Sequence, residues 1–153
     1  EGMIEVGNHK LDERSLNKQI KLQVADSEAL PFGDQTFDAA MVAFGVRNFE
    51  NLEKGLSEIL RVLEFGKPLF ILEFSNPTRF PMKQLYRFYS KTFLPFMGRL
   101  ISKDSRAYTY LPESISEFPH GSDFLKIMNK VGYKDCSFKE LTFGIATIYC
   151  GIK

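Results

Sequence analysis

The stretch Arg61-Val62-Leu63-Glu64-Phe65-Gly66-Lys67-Pro68-Leu69-Phe70-Ile71-Leu72-Glu73-Phe74-Ser75 reads as a helix end, a turn and a buried strand that runs into an acidic residue. From Glu50 onward, Leu52, Leu56, Ile59, Leu60 and Leu63 recur at helical spacing, and Gly66 follows as the stop. Leu69 to Leu72 is apolar at successive positions, as in a parallel strand covered on both faces. Open α/β sheets place their ligands at the C-terminal edge of such strands. Glu73 and Ser75 therefore fall where a site would be built, although a strand-end ion pair is an equally direct use for Glu73.

Working outward, Gln19 to Ala25 alternates polar and apolar residues and is expected to be a short strand ending at Asp26. Pro31-Phe32-Gly33-Asp34 is turn chemistry. Thr36 to Phe44 is a second strand-length apolar run, closed by Gly45, and Met3, Ile4, Val6, Leu11 and Leu16 give residues 2–16 an amphipathic helical pattern. Towards the C-terminus, Asp123 to Val131 reads as a helix, Gly132 as its end, and Tyr133–Leu141 with Thr142–Gly151 as an antiparallel hairpin. Alternating strands and helices predict right-handed βαβ units around a parallel sheet. Between Ser75 and that last helix, Pro77, Pro81, Pro95, Pro112 and Pro119 punctuate a segment dense in Phe and Tyr, read as a helical insertion over 76–120. The expected architecture is one α/β domain over 1–153, with three parallel strands, a closing antiparallel hairpin and this insertion.

The chain has 153 residues, 44% hydrophobic and 25% charged, which suits a single domain with an ordinary core. A formal charge of +1 gives no field to draw a nucleic acid, so none is expected as a partner. Cys136 and Cys150 lack metal-ligand spacing and read as buried thiols in a reducing compartment. No apolar run approaches the roughly 20 residues that span a bilayer, and the N-terminus lacks a basic stretch followed by an apolar one. The expected location is cytoplasmic.

The residues able to carry chemistry lie after the expected strands. Asp26, with Ser27 beside it, offers a hydrogen-bond acceptor at the end of the first expected strand or caps the next turn. In Phe44-Gly45-Val46-Arg47-Asn48, Gly45 permits close approach of a ligand to the backbone. Arg47 and Asn48 are costly to bury alone, so they either face water or bind something anionic or polar.

The block Ala43-Phe44-Gly45-Val46-Arg47-Asn48, together with Ala25-Asp26-Ser27-Glu28-Ala29-Leu30-Pro31-Phe32, resembles the ubiquinone/menaquinone biosynthesis C-methyltransferase family of class I S-adenosylmethionine-dependent enzymes. The opening stretch resembles that family's second signature, keeping Arg61, Val62, Leu63, Gly66, Leu69, Leu72, Glu73 and Ser75 and departing at Glu64, Phe65 and Lys67, all in the helix-to-strand turn. The resemblance implies a Rossmann-like sheet of which this is the later part. Glu1-Gly2-Met3 is similar to the opening of the helix that follows the ribose-binding acid, and no G-x-G occurs, so the first strand, the Gly-rich loop and the second strand are expected to be missing and the isolated chain to be inactive.

The resemblance further implies S-adenosylmethionine as methyl donor, without a metal. Asp26 and Ser27 would hold its adenine, and Phe44 and Gly45 would lie along its methionine portion. The acceptor would be a prenylated quinol: demethylmenaquinol first, a ubiquinone precursor as the alternative. Arg47 would stabilise the quinolate while Asn48 or Tyr108 orients its hydroxyl. The aromatic insertion would cover the acceptor pocket, or Phe80, Phe93, Phe96 and Met97 would instead face a membrane. An uncovered sheet edge would invite homo-oligomers. Two competing readings stay open: the same fold acting on another acceptor, and a non-catalytic scaffold of a quinone-synthesis complex.

Overall fold

A computed structural model describes residues 2–89 and 114–153. Strands β1 (Ala40–Ala43), β2 (Pro68–Phe74), β3 (Lys134–Leu141) and β4 (Ala146–Ile152) form a four-stranded sheet in the order β1-β2-β4-β3. β1 and β2 are parallel, with Ala40 opposite Leu69 and Ala43 opposite Leu72. β4 runs antiparallel to both β2 and β3, and a bulge interrupts β3 between Lys134 and Ser137. The helices are α1 (Gly2–Glu13), α2 (Leu52–Val62), α3 (Met82–Phe88) and α4 (Ser122–Val131).

The expected hairpin and both helices flanking the sheet form, but the second hairpin strand, expected over Thr142–Gly151, begins only at Ala146, after a 3-10 turn at Thr142–Gly144. α2 begins at Asn51, whose side chain accepts the Lys54 N–H at 3.0 Å, a cap of the usual kind. It buries Leu56 and Ile59 in one cluster with Leu69 and Ile71 of β2 and Phe124 and Met128 of α4. Each such side chain contributes about 1.5–3 kcal/mol by leaving water. Tyr133 closes this core and donates its hydroxyl to the Leu56 carbonyl at 3.0 Å.

The expected strand over Gln19–Ala25 does not form. Residues 20–25 are irregular, and an isolated bridge joins Asp26 to Ala29. Alternation provides an apolar face but not a partner, and β1 is itself an edge of the sheet, with no described strand beyond it. The sheet therefore holds two parallel strands where three were expected. β1 is also shorter than the apolar run Thr36–Phe44, and Met41 is 78% exposed, so only one of its faces is covered. α1 forms as its spacing predicts, yet none of its residues is buried.

In β2 the buried face runs Leu69, Ile71, Glu73. The alternation that builds the core thus delivers a carboxylate to a position an aliphatic side chain would otherwise fill. A buried charge persists only with partners, and these lie in the turn after β1.

Candidate functional site

The parallel register sets the tip of β1 beside the tip of β2. Phe44 extends the pairing by donating its N–H to the Leu72 carbonyl at 2.8 Å, then turns the chain with φ of +55°. A short 3-10 turn, Val46–Asn48, follows, anchored by buried Val46. This turn carries Arg47 inward. Its side chain is only 10% exposed, and its Nη1 donates to Glu73 Oε1 at 2.5 Å and to the Phe44 carbonyl at 2.8 Å. The Arg47 backbone N–H reaches Glu73 Oε2 at 3.3 Å, and Phe74 N–H reaches Oε1 at 2.9 Å. The guanidinium lies 5.5 Å from the centroid of the Phe74 ring, which stacks on Phe44 with centroids 4.4 Å apart. Of the alternatives open for Arg47, the partner is internal: Glu73 offsets its charge. Its buried Nε has no partner among the described residues.

Gly45 has φ of −124°, so the left-handed position in this turn belongs to Phe44. A Cβ at Gly45 would meet Val42 Cγ1 at 3.4 Å, an ordinary contact. Neither conformation nor packing within the chain demands glycine there. Asn48 is exposed, and its N–H donates to the Gly45 carbonyl at 3.0 Å.

Asp26 is exposed and accepts the Glu28 N–H at 2.8 Å, the turn-capping use foreseen for it. Ser27 beside it is half-buried. The 28–34 loop is held to α2 by a charge network invisible in the motif reading. Arg61 pairs with Glu58 through Nε and Nη2, both at 2.9 Å, and with Asp34 through Nη1 at 2.8 Å. It also donates to the Phe32 and Leu30 carbonyls at 2.8 and 3.1 Å. Glu28 in turn accepts the Asn51 N–H at 2.6 Å. Arg61 and then the Leu30 N–H hold the Glu58 carboxyl below its ordinary range, while Glu58 and Asp34 raise the Arg61 guanidinium. The signature arginine is thus a clamp on the loop that follows Asp26.

Ser75, the other candidate at the edge, is buried; its Oγ donates to the Gly144 carbonyl at 2.9 Å and lies 2.8 Å from Thr147 Oγ1. It ties β2 to the tip of the β3–β4 hairpin.

Two hollows flank Phe49, which lines both. One, of about 450 Å³, is bounded by Val46, Arg47, Leu52, Glu117 and Phe118. The other, of about 360 Å³, is apolar and reaches Ser27, Leu30, Phe37 and Val42. Both fall in the size range of small-molecule sites. Of the residues nominated from sequence, Ser27 lines one hollow and Arg47 the other, whereas Asp26, Phe44, Gly45 and Asn48 line neither. Tyr108, Phe93, Phe96 and Met97 lie outside the described residues; of the expected insertion, residues 76–89 and 114–120 are described, with α3 and a helical turn at 114–117 joined to irregular stretches. Cys136 and Cys150 are free and half-buried, and burial pushes the Cys136 thiol up. Among the described residues no three His, Cys, Asp or Glu side chains converge on a metal position, and no helix is long and apolar enough to cross a membrane.

Residues 1–153 match the model of the ubiE/COQ5 methyltransferase family. A protein of Bacteroides fragilis named demethylmenaquinone methyltransferase is 48% identical over 153 residues, covering 100% of this chain and 62% of the relative. A protein of the same name from Porphyromonas gingivalis is 44% identical over 151 residues. A Geobacter sulfurreducens protein named ubiquinone/menaquinone biosynthesis C-methyltransferase UbiE is 44% identical, with 59% of its length covered. The chain thus spans about three fifths of the length of the curated relatives it matches. Among solved structures, an S-adenosylmethionine-dependent methyltransferase from Aquifex aeolicus superposes with a TM-score of 0.66 at 17% identity, over 100% of this chain and 65% of the other. The [4+2]-cyclase SpnF does so with 0.70 at 12% identity, over 97% and 61%. At such identities the likeness shows the fold, the α/β sheet of class I methyltransferases.

Proposed function

The chain belongs to the ubiE/COQ5 methyltransferase family, and from that premise we propose that its protein C-methylates a prenylated quinol with S-adenosylmethionine, converting demethylmenaquinol to menaquinol. The observation that carries this reading is the 48% identity, across the whole of this chain, to a relative named for that reaction. The name of the Geobacter sulfurreducens relative covers ubiquinone as well, and a ubiquinone precursor is the alternative acceptor.

S-adenosylmethionine supplies an electrophilic methyl group when bound. The residues present fit it in two respects. Asp26 is an exposed carboxylate suited to an exocyclic amine, with Ser27 beside it. Gly45 is a glycine that the fold itself does not require, as expected where a ligand must press against backbone. Phe44 and Gly45 would then flank the methionine portion.

Arg47 would stabilise the quinolate. With Glu73 offsetting its charge, it is suited to donate a fixed hydrogen bond toward a quinol oxygen as negative charge develops there. Asn48 and Tyr108 would orient the hydroxyl. The hollow beside Arg47 would take the ring, aligning its carbon for in-line attack. A prenylated quinol dissolves in the bilayer, so the enzyme works at the inner membrane face from the cytoplasm.

The test is a product assay on the full-length enzyme with S-adenosylmethionine and demethylmenaquinol, read by mass spectrometry. Methylated quinol is the expected product; methylation of an unrelated acceptor with none of the quinol would overturn the reading.

A further inference from the structure

Residues 76–89 contain Arg79, Lys83 and Arg87 and no Asp or Glu. Spaced four apart, the three cations fall along one stripe of α3 and the turn before it. Large apolar side chains stand out among them: Phe80 is 82% exposed, Phe88 66% and Leu85 58%. Met82 and Tyr86, also four apart, are half-buried and with Ile145 line a hollow of about 330 Å³. α3 therefore rests on the body by a single face and presents the remainder outward. Burial, the larger cause, and neighbouring Tyr89 push the Tyr86 hydroxyl up, consistent with that seat.

A second element extends the patch. At the tip of the β3–β4 hairpin, Phe143 is held at φ of +56° with 79% of its surface exposed. The next residue packs on the segment before α3: a Cβ at Gly144 would lie 3.3 Å from Pro77 Cα. The hairpin tip and α3 thus share one end of the molecule. It is the end that holds the candidate site, because Ser75, two residues beyond Glu73, bonds the Gly144 carbonyl.

We propose that α3, the segment before it and Phe143 form a surface that docks on an anionic lipid bilayer. Cations of one sign interleaved with exposed aromatic and aliphatic side chains are the composition of interfacial membrane-binding elements. Arg79 and Lys83 meet acidic headgroups and the rings enter the boundary of the acyl layer. A polar protein partner would leave Phe80, Phe88 and Phe143 without apolar cover, and a second copy of this chain would bring like charges together. In setting the bilayer against the edge that bears Arg47, the proposal rests on the reading of the acceptor as prenylated. The measurement below involves no methyl transfer, so the two fail separately.

The experiment is co-sedimentation of the 153-residue chain with phosphatidylglycerol–phosphatidylcholine vesicles, and with phosphatidylcholine alone, at low and high salt. Binding should require the anionic lipid and weaken with salt. Each neutralised cation should lower the partition constant about fivefold, so Arg79→Gln/Lys83→Gln should lower it about 25-fold. Phe80→Ser/Phe143→Ser should weaken it at every salt concentration. Both pairs are exposed, so circular dichroism and melting temperature should not change. No binding to anionic vesicles at low salt, or binding indifferent to both variants, overturns the proposal. So does a dimer in analytical ultracentrifugation that these substitutions dissolve in the absence of lipid.

Discussion

Truncation of Glu73 to Ala should cost far more than the loss of one strand-end side chain. Glu73 is fully buried, and its two oxygens take two N–H bonds from Arg47 and one more from Phe74. Removing the carboxylate strands a guanidinium only 10% exposed whose Nε already lacks a partner among the described residues. Breaking a buried pair from one side costs about 3–5 kcal/mol, against a total stability of about 5–15 kcal/mol for an ordinary domain. At about 2–4 °C per kcal/mol, the melting temperature should fall by roughly 6–20 °C. Arg47→Ala should fall at the lower end, since two backbone N–H groups remain for the carboxylate. The double replacement Arg47→Met/Glu73→Leu removes both charges and should be near neutral, as buried pairs exchanged for apolar residues often are. Urea denaturation of the chain, with midpoints compared at constant slope, measures all three. If the single variants each cost less than about 1 kcal/mol, or if the two losses add in the double variant, the pair is not the lock described here. The double variant has a further use in the full-length enzyme: folded but inactive, it would assign Arg47 to the chemistry as well as to the fold.

Gly45→Ala should leave stability within about 0.5 kcal/mol, because its φ is accessible and the new Cβ meets only Val42 at ordinary contact distance. In the full-length enzyme the same change should weaken S-adenosylmethionine binding at least tenfold by calorimetry; unchanged affinity would remove the cofactor from this turn. Glu58 supplies a pH signature. Its carboxyl is held below its ordinary value of 4.5, first by Arg61, so its stabilising contribution is fully present above that value and is lost as pH falls through the lowered one. Between about pH 6 and about pH 3, the stability difference between the wild type and Glu58→Gln should therefore shrink. A difference that stays constant in thermal melts across this window would place no titrating role on Glu58.

Local pattern carried the fold wherever one segment contains all the information. The helical spacing of Leu52 to Leu63 and the closing hairpin could be read directly, and each forms. Gln19–Ala25 could not, because a strand is a property of two segments: alternation specifies which residues share a face, whereas the ladder needs a neighbour that these residues do not name. The Arg47–Glu73 pair sits between these cases. The two are far apart in sequence, and taken alone Arg47 reads as a group that faces water or binds something external and Glu73 as one half of an unspecified ion pair. Yet the signal that joins them was available. Two consecutive parallel strands with Ala43 opposite Leu72 bring the residues just past each strand together, and a buried acid on an apolar face requires a base. The Arg61 clamp was less accessible. Its bond to Glu58 follows from helical spacing, but its reach to the 30–34 loop depends on where that loop returns.

The end of β2 divides its tasks residue by residue. Glu73 faces the core and fixes the Phe44–Asn48 turn. Phe74, on the opposite face, supports the Phe44 ring and lies under the Arg47 guanidinium. Ser75 returns to the buried face and holds the hairpin tip. Three successive positions thus position the proposed cofactor turn, the proposed hydrogen-bond donor and the proposed lipid-facing hairpin from one strand end. A strand buried between β1 and β4 is a stiff mount, so a bilayer met by Phe143 and α3 would stand in a fixed relation to Arg47. The acidic residue of the signature therefore matters less as a ligand than as a reference point: it converts the register of two parallel strands into the orientation of a guanidinium.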